Sequence, residues 1–170
     1  MSRGGVILAV AFTLALSPAA AAGQVNSQPD VMIVGRAGAV LTGDDLYGST
    51  NVGQQRSMIV DDRLAFSVRI QNDGAESDSF LVTVRTSDAG FEVRSFLGKR
   101  DVTAGAQNGT LELRHVPPEA ARRLRVEVTA STAAFGATLE LVITAAAPQP
   151  GETRPADSVY VEITNISTPE

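Results

Sequence analysis

The chain has 170 residues and no cysteine, which excludes thiol catalysis, zinc–thiolate sites and disulfide staples and leaves any folded domain resting on its apolar core. Lys and Arg number 14 against 19 Asp and Glu, a formal net charge of −5, and nucleic acid or anionic lipid is a poor match for such a chain because both need clustered cations. With one histidine, metal sites built on histidine clusters are excluded as well.

Residues 1–22 have the order of a signal peptide. Arg3 is followed by an apolar run from Val6 to Leu16, then Ser17-Pro18, then alanines ending at Ala22, which is the charged, apolar and small-residue order of a cleaved leader. The run is shorter than the ~20 apolar residues that span a bilayer. Cleavage after Ala20-Ala21-Ala22 starts the mature chain at Gly23, one charge more negative without Arg3. No later apolar stretch is long enough for a membrane span, so the mature chain is expected to be secreted, periplasmic or held at a cell surface. The lack of cysteine fits bacterial export.

Residues 23–29 read as a flexible tether and 30–166 as one domain, with 167–170 as a C-terminal tail. Strand signals then run through the chain. Val31–Val34 comes first, and after the acidic pair Asp44-Asp45 comes Ser57–Val60. Beyond Asp61-Asp62, Leu64, Phe66, Val68 and Ile70 alternate with polar residues up to Gln71, the period of a strand with one wet face. Asn72-Asp73-Gly74 turns the chain, and Phe80, Val82 and Val84 repeat the alternation. These two strands are expected to pair across residues 72–79. Phe91–Arg94 and Leu111–Arg114 are short alternating pieces, with turns expected at Asp73, Asp78, Gly90 and Asp101.

Val116-Pro117-Pro118 reads as a connecting loop, since the residue before a proline favours extended backbone. In Leu124–Thr129 the alternation turns Arg123 and Arg125 outward, so the cluster Arg122-Arg123-Leu124-Arg125 is read as a solvated face. Leu139–Ile143 and Val159–Ile163 close the set, separated by a Pro-rich loop from Ala145 to Pro155. Helix has little support anywhere. Eight to nine short strands with Gly, Pro, Asn and Asp between them predict an all-β fold, an antiparallel immunoglobulin-like sandwich.

The run Phe66-Ser-Val-Arg-Ile-Gln-Asn-Asp-Gly-Ala-Glu-Ser-Asp-Ser-Phe80, with Asn72, Asp78 and Phe80 as its distinctive residues, and the step Asp101-Val-Thr-Ala104 resemble the immunoglobulin-like modules of exported bacterial proteins, in the neighbourhood of the CARDB-like (cell-adhesion-related) and NEW-type domains. Pro117-Pro118-Glu119 departs from the Pro-Gly usual there. The resemblance spans roughly Pro29 to Asn165 and implies an accessory part, because such modules usually accompany a larger secreted domain.

No residue set selects a catalytic site. His115 is the sole histidine, and no nucleophile-elbow sequence accompanies it. Among carboxylates, Asp44, Asp45, Asp61 and Asp62 are calcium candidates, although no loop has the regular acidic spacing of a known calcium motif and Asp more often shapes turns. Nothing picks out an opposed pair for glycoside hydrolysis. Sugar recognition uses aromatic platforms. The chain has no Trp, and with Phe66 and Phe80 assigned to the core the remaining rings are Tyr47, Phe96, Phe135 and Tyr160, of which Tyr160 falls on an outward strand face. The triplets Asn108-Gly-Thr110 and Asn165-Ile-Ser167 are read as chance matches to a glycosylation signal. The expected function is a non-catalytic structural or protein-interaction module, possessing no cofactor and meeting a protein partner at a strand edge or loop rim. A glycan-binding module is the alternative and a secreted hydrolase the third choice.

Overall fold

The structure is a computed structural model that describes residues 27–34, 41–48, 55–87, 90–148 and 155–166. The expected signal peptide, residues 23–26 of the tether and the tail 167–170 lie outside the described residues. The chain order is β1 (Pro29–Val34), β2 (Leu41–Thr42), β3 (Gln55–Val60), β4 (Arg63–Asn72), β5 (Asp78–Thr86), β6 (Glu92–Leu97), β7 (Arg100–Asp101), α1 (Thr103–Gln107), β8 (Leu111–Val116), β9 (Ala121–Thr129), β10 (Thr138–Ala146) and β11 (Ala156–Asn165). They form two sheets, ordered β2-β1-β4-β9-β6-β7 and β3-β11-β10-β5-β8, whose inner faces make an all-β sandwich.

Alternation places the core. Phe66, Val68 and Ile70 of β4, Leu124, Val126 and Val128 of β9, Phe80, Val82 and Val84 of β5, and Leu141 and Ile143 of β10 are all buried in one cluster contributed by both sheets. Shifting any of these strands by one residue would turn its apolar set to water, so the core itself holds the register.

Three features differ from the sequence reading. β4 and β5 do not pair: β4 lies between β1 and β9, and β5 lies between β10 and β8 in the other sheet. The reason is Asn72, which is fully buried and organises a corner instead of a hairpin. Its Nδ2 donates to the carbonyls of Glu76 (2.7 Å) and Val116 (2.8 Å), and its Oδ1 accepts from Gly74 N–H (3.0 Å). The chain thereby crosses from one sheet to the other. Second, β3 runs parallel to β11, whereas the other pairings among the described residues are antiparallel.

Third, two two-residue strands and a helix occur between Arg100 and Gln107 and at Leu41–Thr42. A five-residue helix containing Gly105 is too short to show a period. It starts because Asp101 Oδ1 accepts from Thr103 N–H (2.9 Å) while Oδ2 accepts from Arg94 (2.6 Å). The Thr103 hydrogen bonds and then Arg94 hold the Asp101 carboxyl down at about 2.

The arginine cluster is more than a solvated face. Arg125 is half-buried, its guanidinium sits 4.2 Å from the centre of the Phe96 ring, and it pairs with Glu127, which Arg63 also contacts. Glu127 is thus buried on the outer face of β9 with two cations to compensate it.

Candidate functional site

β1 is buried along almost its whole length, although among the described residues it borders only the two-residue β2 on one side. Where β2 gives out, Asp157 at the start of β11 takes over: its Oδ2 accepts from Val31 N–H (2.6 Å) and its Oδ1 from Gly48 N–H (3.0 Å). Asp30 Oδ2 accepts from Asp45 N–H (3.4 Å). The segment after β2 is therefore drawn across the β1 edge by two buried carboxylates.

That segment completes an acidic cluster. Asp30 of β1, Asp45 after β2 and Asp73 after β4 each place a carboxylate oxygen within 4.8 Å of the others. Asp30 and Gln71 are cross-strand partners, and Gln71 Nε2 donates to Asp73 Oδ1 (2.7 Å). The Tyr47 hydroxyl reaches Asp73 Oδ2 at 2.9 Å and Asp45 Oδ1 at 3.2 Å. Desolvation pushes the Tyr47 phenol well up, aided by the hydrogen bond to Asp73 and its charge, so it stays a proton donor. Burial likewise raises the Asp30 carboxyl to about 7, with the charges of Asp73, Asp157 and Asp44 adding to the effect. A raised carboxylic acid beside other carboxylates is an acid–base pattern, here set at a position that is 0% exposed.

The four sequence candidates for calcium separate in space. Only Asp45 enters the cluster. Asp44 is exposed beside it, acting on Asp30 through charge, whereas Asp61 and Asp62 form the exposed β3–β4 turn, with Asp62 in the left-handed region (φ 75°) and its carbonyl accepting from Ala130 N–H. Asp73 reads in sequence as a turn residue and Asp30 as the head of an apolar strand. Asp30 before four apolar residues is itself the one local signal, a charge at the mouth of a buried run.

Tyr160 lies half-buried on the outer face of the β3–β8 sheet, in an open groove with Leu81, Thr83, Arg85, Val142 and Thr144. The other rings are elsewhere: Tyr47 in the acidic cluster, Phe96 under Arg94 and Arg125 on the opposite sheet, and Phe135 in the β9–β10 loop. His115 is exposed at a bulge of β8, in the left-handed region (φ 50°), where the register against β5 shifts.

One rim of the sandwich carries exposed apolar side chains. Ile59 of β3 is 62% exposed, Phe135 63% and Ile166 40%. The three segments are tied together: Ile59 is paired with Thr164, Ile166 N–H donates to Val60, and Asn165 Nδ2 donates to the carbonyls of Ala133 and Ala134. Among the described residues β3 is an edge strand, bonded only to β11.

No family model matches the chain, and no curated protein matches it. Among solved structures, the chain is similar to the N-terminal domain of PorA, with a TM-score of 0.55 at 9% identity over 84% of this chain and 100% of that one. It is also aligned with a family 123 glycoside hydrolase from Clostridium perfringens, with a TM-score of 0.43 at 10% identity over 84% of this chain but only 28% of the hydrolase. The first likeness is one of fold, and the second carries no activity over to this chain. Among the described residues no helix is long and apolar enough to cross a membrane.

Proposed function

We propose that this chain is an exported, non-catalytic β-sandwich module that holds a protein partner at the rim formed by edge strand β3, the β9–β10 loop and the end of β11. The observation that carries the reading is the meeting there of an edge strand with Ile59, Phe135 and Ile166, all exposed. An edge strand offers unpaired backbone groups to an added strand, and apolar side chains beside it supply the desolvation energy that backbone pairing alone lacks. The resemblance of the 66–80 run to CARDB-like and NEW-type modules, and the leader-like residues 1–22, support an accessory role outside the cytoplasm. The single histidine, exposed at a bulge, supports a role without catalysis.

The test is crosslinking of the purified chain in native envelope or medium extract, beside a broad hydrolase screen and N-terminal mass spectrometry of exported material. The expected result is a specific partner lost on Ile59→Asp or Phe135→Asp but retained in Tyr160→Ala, and a mature start at or near Gly23. Reproducible turnover without a partner overturns the reading. Saturable glycan binding abolished by Tyr160→Ala establishes the glycan alternative in its place.

A further inference from the structure

The acidic cluster at the β1 edge has a property that structural carboxylates in turns lack. Asp30 is 0% exposed, its Oδ1 has no hydrogen-bond partner among the described residues, and its carboxylate lies within the cluster formed with Asp45 and Asp73. The groups acting on it by charge are Asp73, Asp157 and Asp44, every one of them acidic. A buried carboxylate is tolerated when a cation or hydrogen-bond donors compensate it. Here Asp45 N–H supplies one donor, to Oδ2, and Oδ1 is left over.

We propose that Asp30, Asp45 and Asp73 form a calcium site that clamps the segment following β2 onto the edge of β1 and the end of β4. Three oxygens all within 4.8 Å of one another enclose a point no more than about 2.8 Å from each, so shifts of a few tenths of an ångström reach the 2.3–2.6 Å of calcium–oxygen bonds. Magnesium, at 2.0–2.1 Å in a strict octahedron, requires a larger collapse. The donors are all oxygen, which favours a hard cation over zinc or copper. They also come from three separate segments, so one ion ties the segment after β2, held to β1 by a two-residue ladder, to the firmly paired β1 and β4. The ion takes over the charge compensation of the Asp30 carboxylate, and the Tyr47 hydroxyl, already bonded to Asp45 and Asp73, stands beside it as a reporter.

The chain has two tyrosines and no tryptophan, so Tyr160→Phe leaves Tyr47 as the only tyrosine. In that background, terbium added as a calcium mimic is expected to give saturable luminescence on tyrosine excitation, displaced by calcium at lower concentration than by magnesium. Asp30→Asn and Asp73→Asn are each expected to weaken terbium binding about tenfold or more, since ligand charge sets affinity at such sites. The double substitution Asp61→Asn with Asp62→Asn, in the β3–β4 turn, is expected to leave it unchanged. Asp73 is only half-buried, so Asp73→Asn separates loss of the site from loss of the fold, which far-ultraviolet circular dichroism verifies. Calcium is further expected to raise the melting temperature of the parent over that in chelator and not that of Asp73→Asn. No saturable luminescence, luminescence that survives both single substitutions, or equal displacement by calcium and magnesium overturns the proposal.

Discussion

Replacing Asn72 tests the corner that separates this fold from a simple hairpin. Its side chain satisfies two carbonyls and one amide. The Glu76 carbonyl belongs to an exposed turn residue and can recover a water, but Val116 and Gly74 are buried. Asn72→Ala therefore orphans two buried groups at about 1–3 kcal/mol each, and about 4 kcal/mol in total is expected. For a chain of this length that corresponds to a melting temperature lower by roughly 12 °C, a large share of a typical stability of about 5–15 kcal/mol.

Asn72→Asp sharpens the test through pH. The carboxylate cannot donate and faces two carbonyl oxygens, so the variant is worse than Asn72→Ala at neutral pH. Once protonated it regains one donor. Its folded-state pKa is then raised by burial and by those carbonyls, so its stability is highest in acid and falls as pH rises through that value. Urea unfolding followed by circular dichroism, extrapolated linearly at several pH values, measures both variants. An Asn72→Ala within about 1 kcal/mol of the parent, or an Asn72→Asp most stable above neutrality, refutes the assignment of the corner to these three bonds.

Val68→Asp is expected to unfold the chain and Arg69→Asp to leave it folded, since Val68 is 0% exposed in the core and Arg69 is on the outer face; similar thermal midpoints would show the register of β4 to be wrong. For Asp30, in chelator, the folded value of about 7 against 3.8 unfolded means the folded state binds the extra proton, so stability is greatest below the unfolded value and is lost as pH rises towards 7. The slope is about 1.4 kcal/mol per pH unit within that window. Urea midpoints between pH 5 and 8 should therefore fall with pH in the parent and flatten in Asp30→Asn, and an equal slope in both would exclude Asp30 as the source. Gly90 and Gly98 both have positive φ (78° and 60°), but an added Cβ meets Ala133 N at 2.8 Å and Thr132 C at 2.9 Å only at Gly90. Gly98→Ala should thus cost about 1 kcal/mol from backbone strain alone and Gly90→Ala clearly more by the same urea assay, with equal losses counting against the close approach of the β9–β10 loop.

Inward and outward faces were legible in the sequence because strand alternation is local: a period of two in Leu64–Ile70 or Phe80–Val84 already says which side chains avoid water. All nine strands read from the sequence appear in the structure, and Tyr160 lies on the outward face that alternation assigns it. Pairing was not legible, since which strand lies beside β4 depends on how two apolar faces close over one another and not on any residue in β4. Asn72 is the case in point: as part of Asn-Asp-Gly it reads as a hairpin turn, and only its burial against Val116, 44 residues on, makes it a crossing between sheets. Tertiary structure alone likewise converts Arg125 from a surface charge into a partner of Phe96 and Glu127. It also gathers Asp30, Asp45 and Asp73 from three segments while leaving Asp61 and Asp62 apart, because carboxylates act on one another through distance in space, for which adjacency in sequence is no guide.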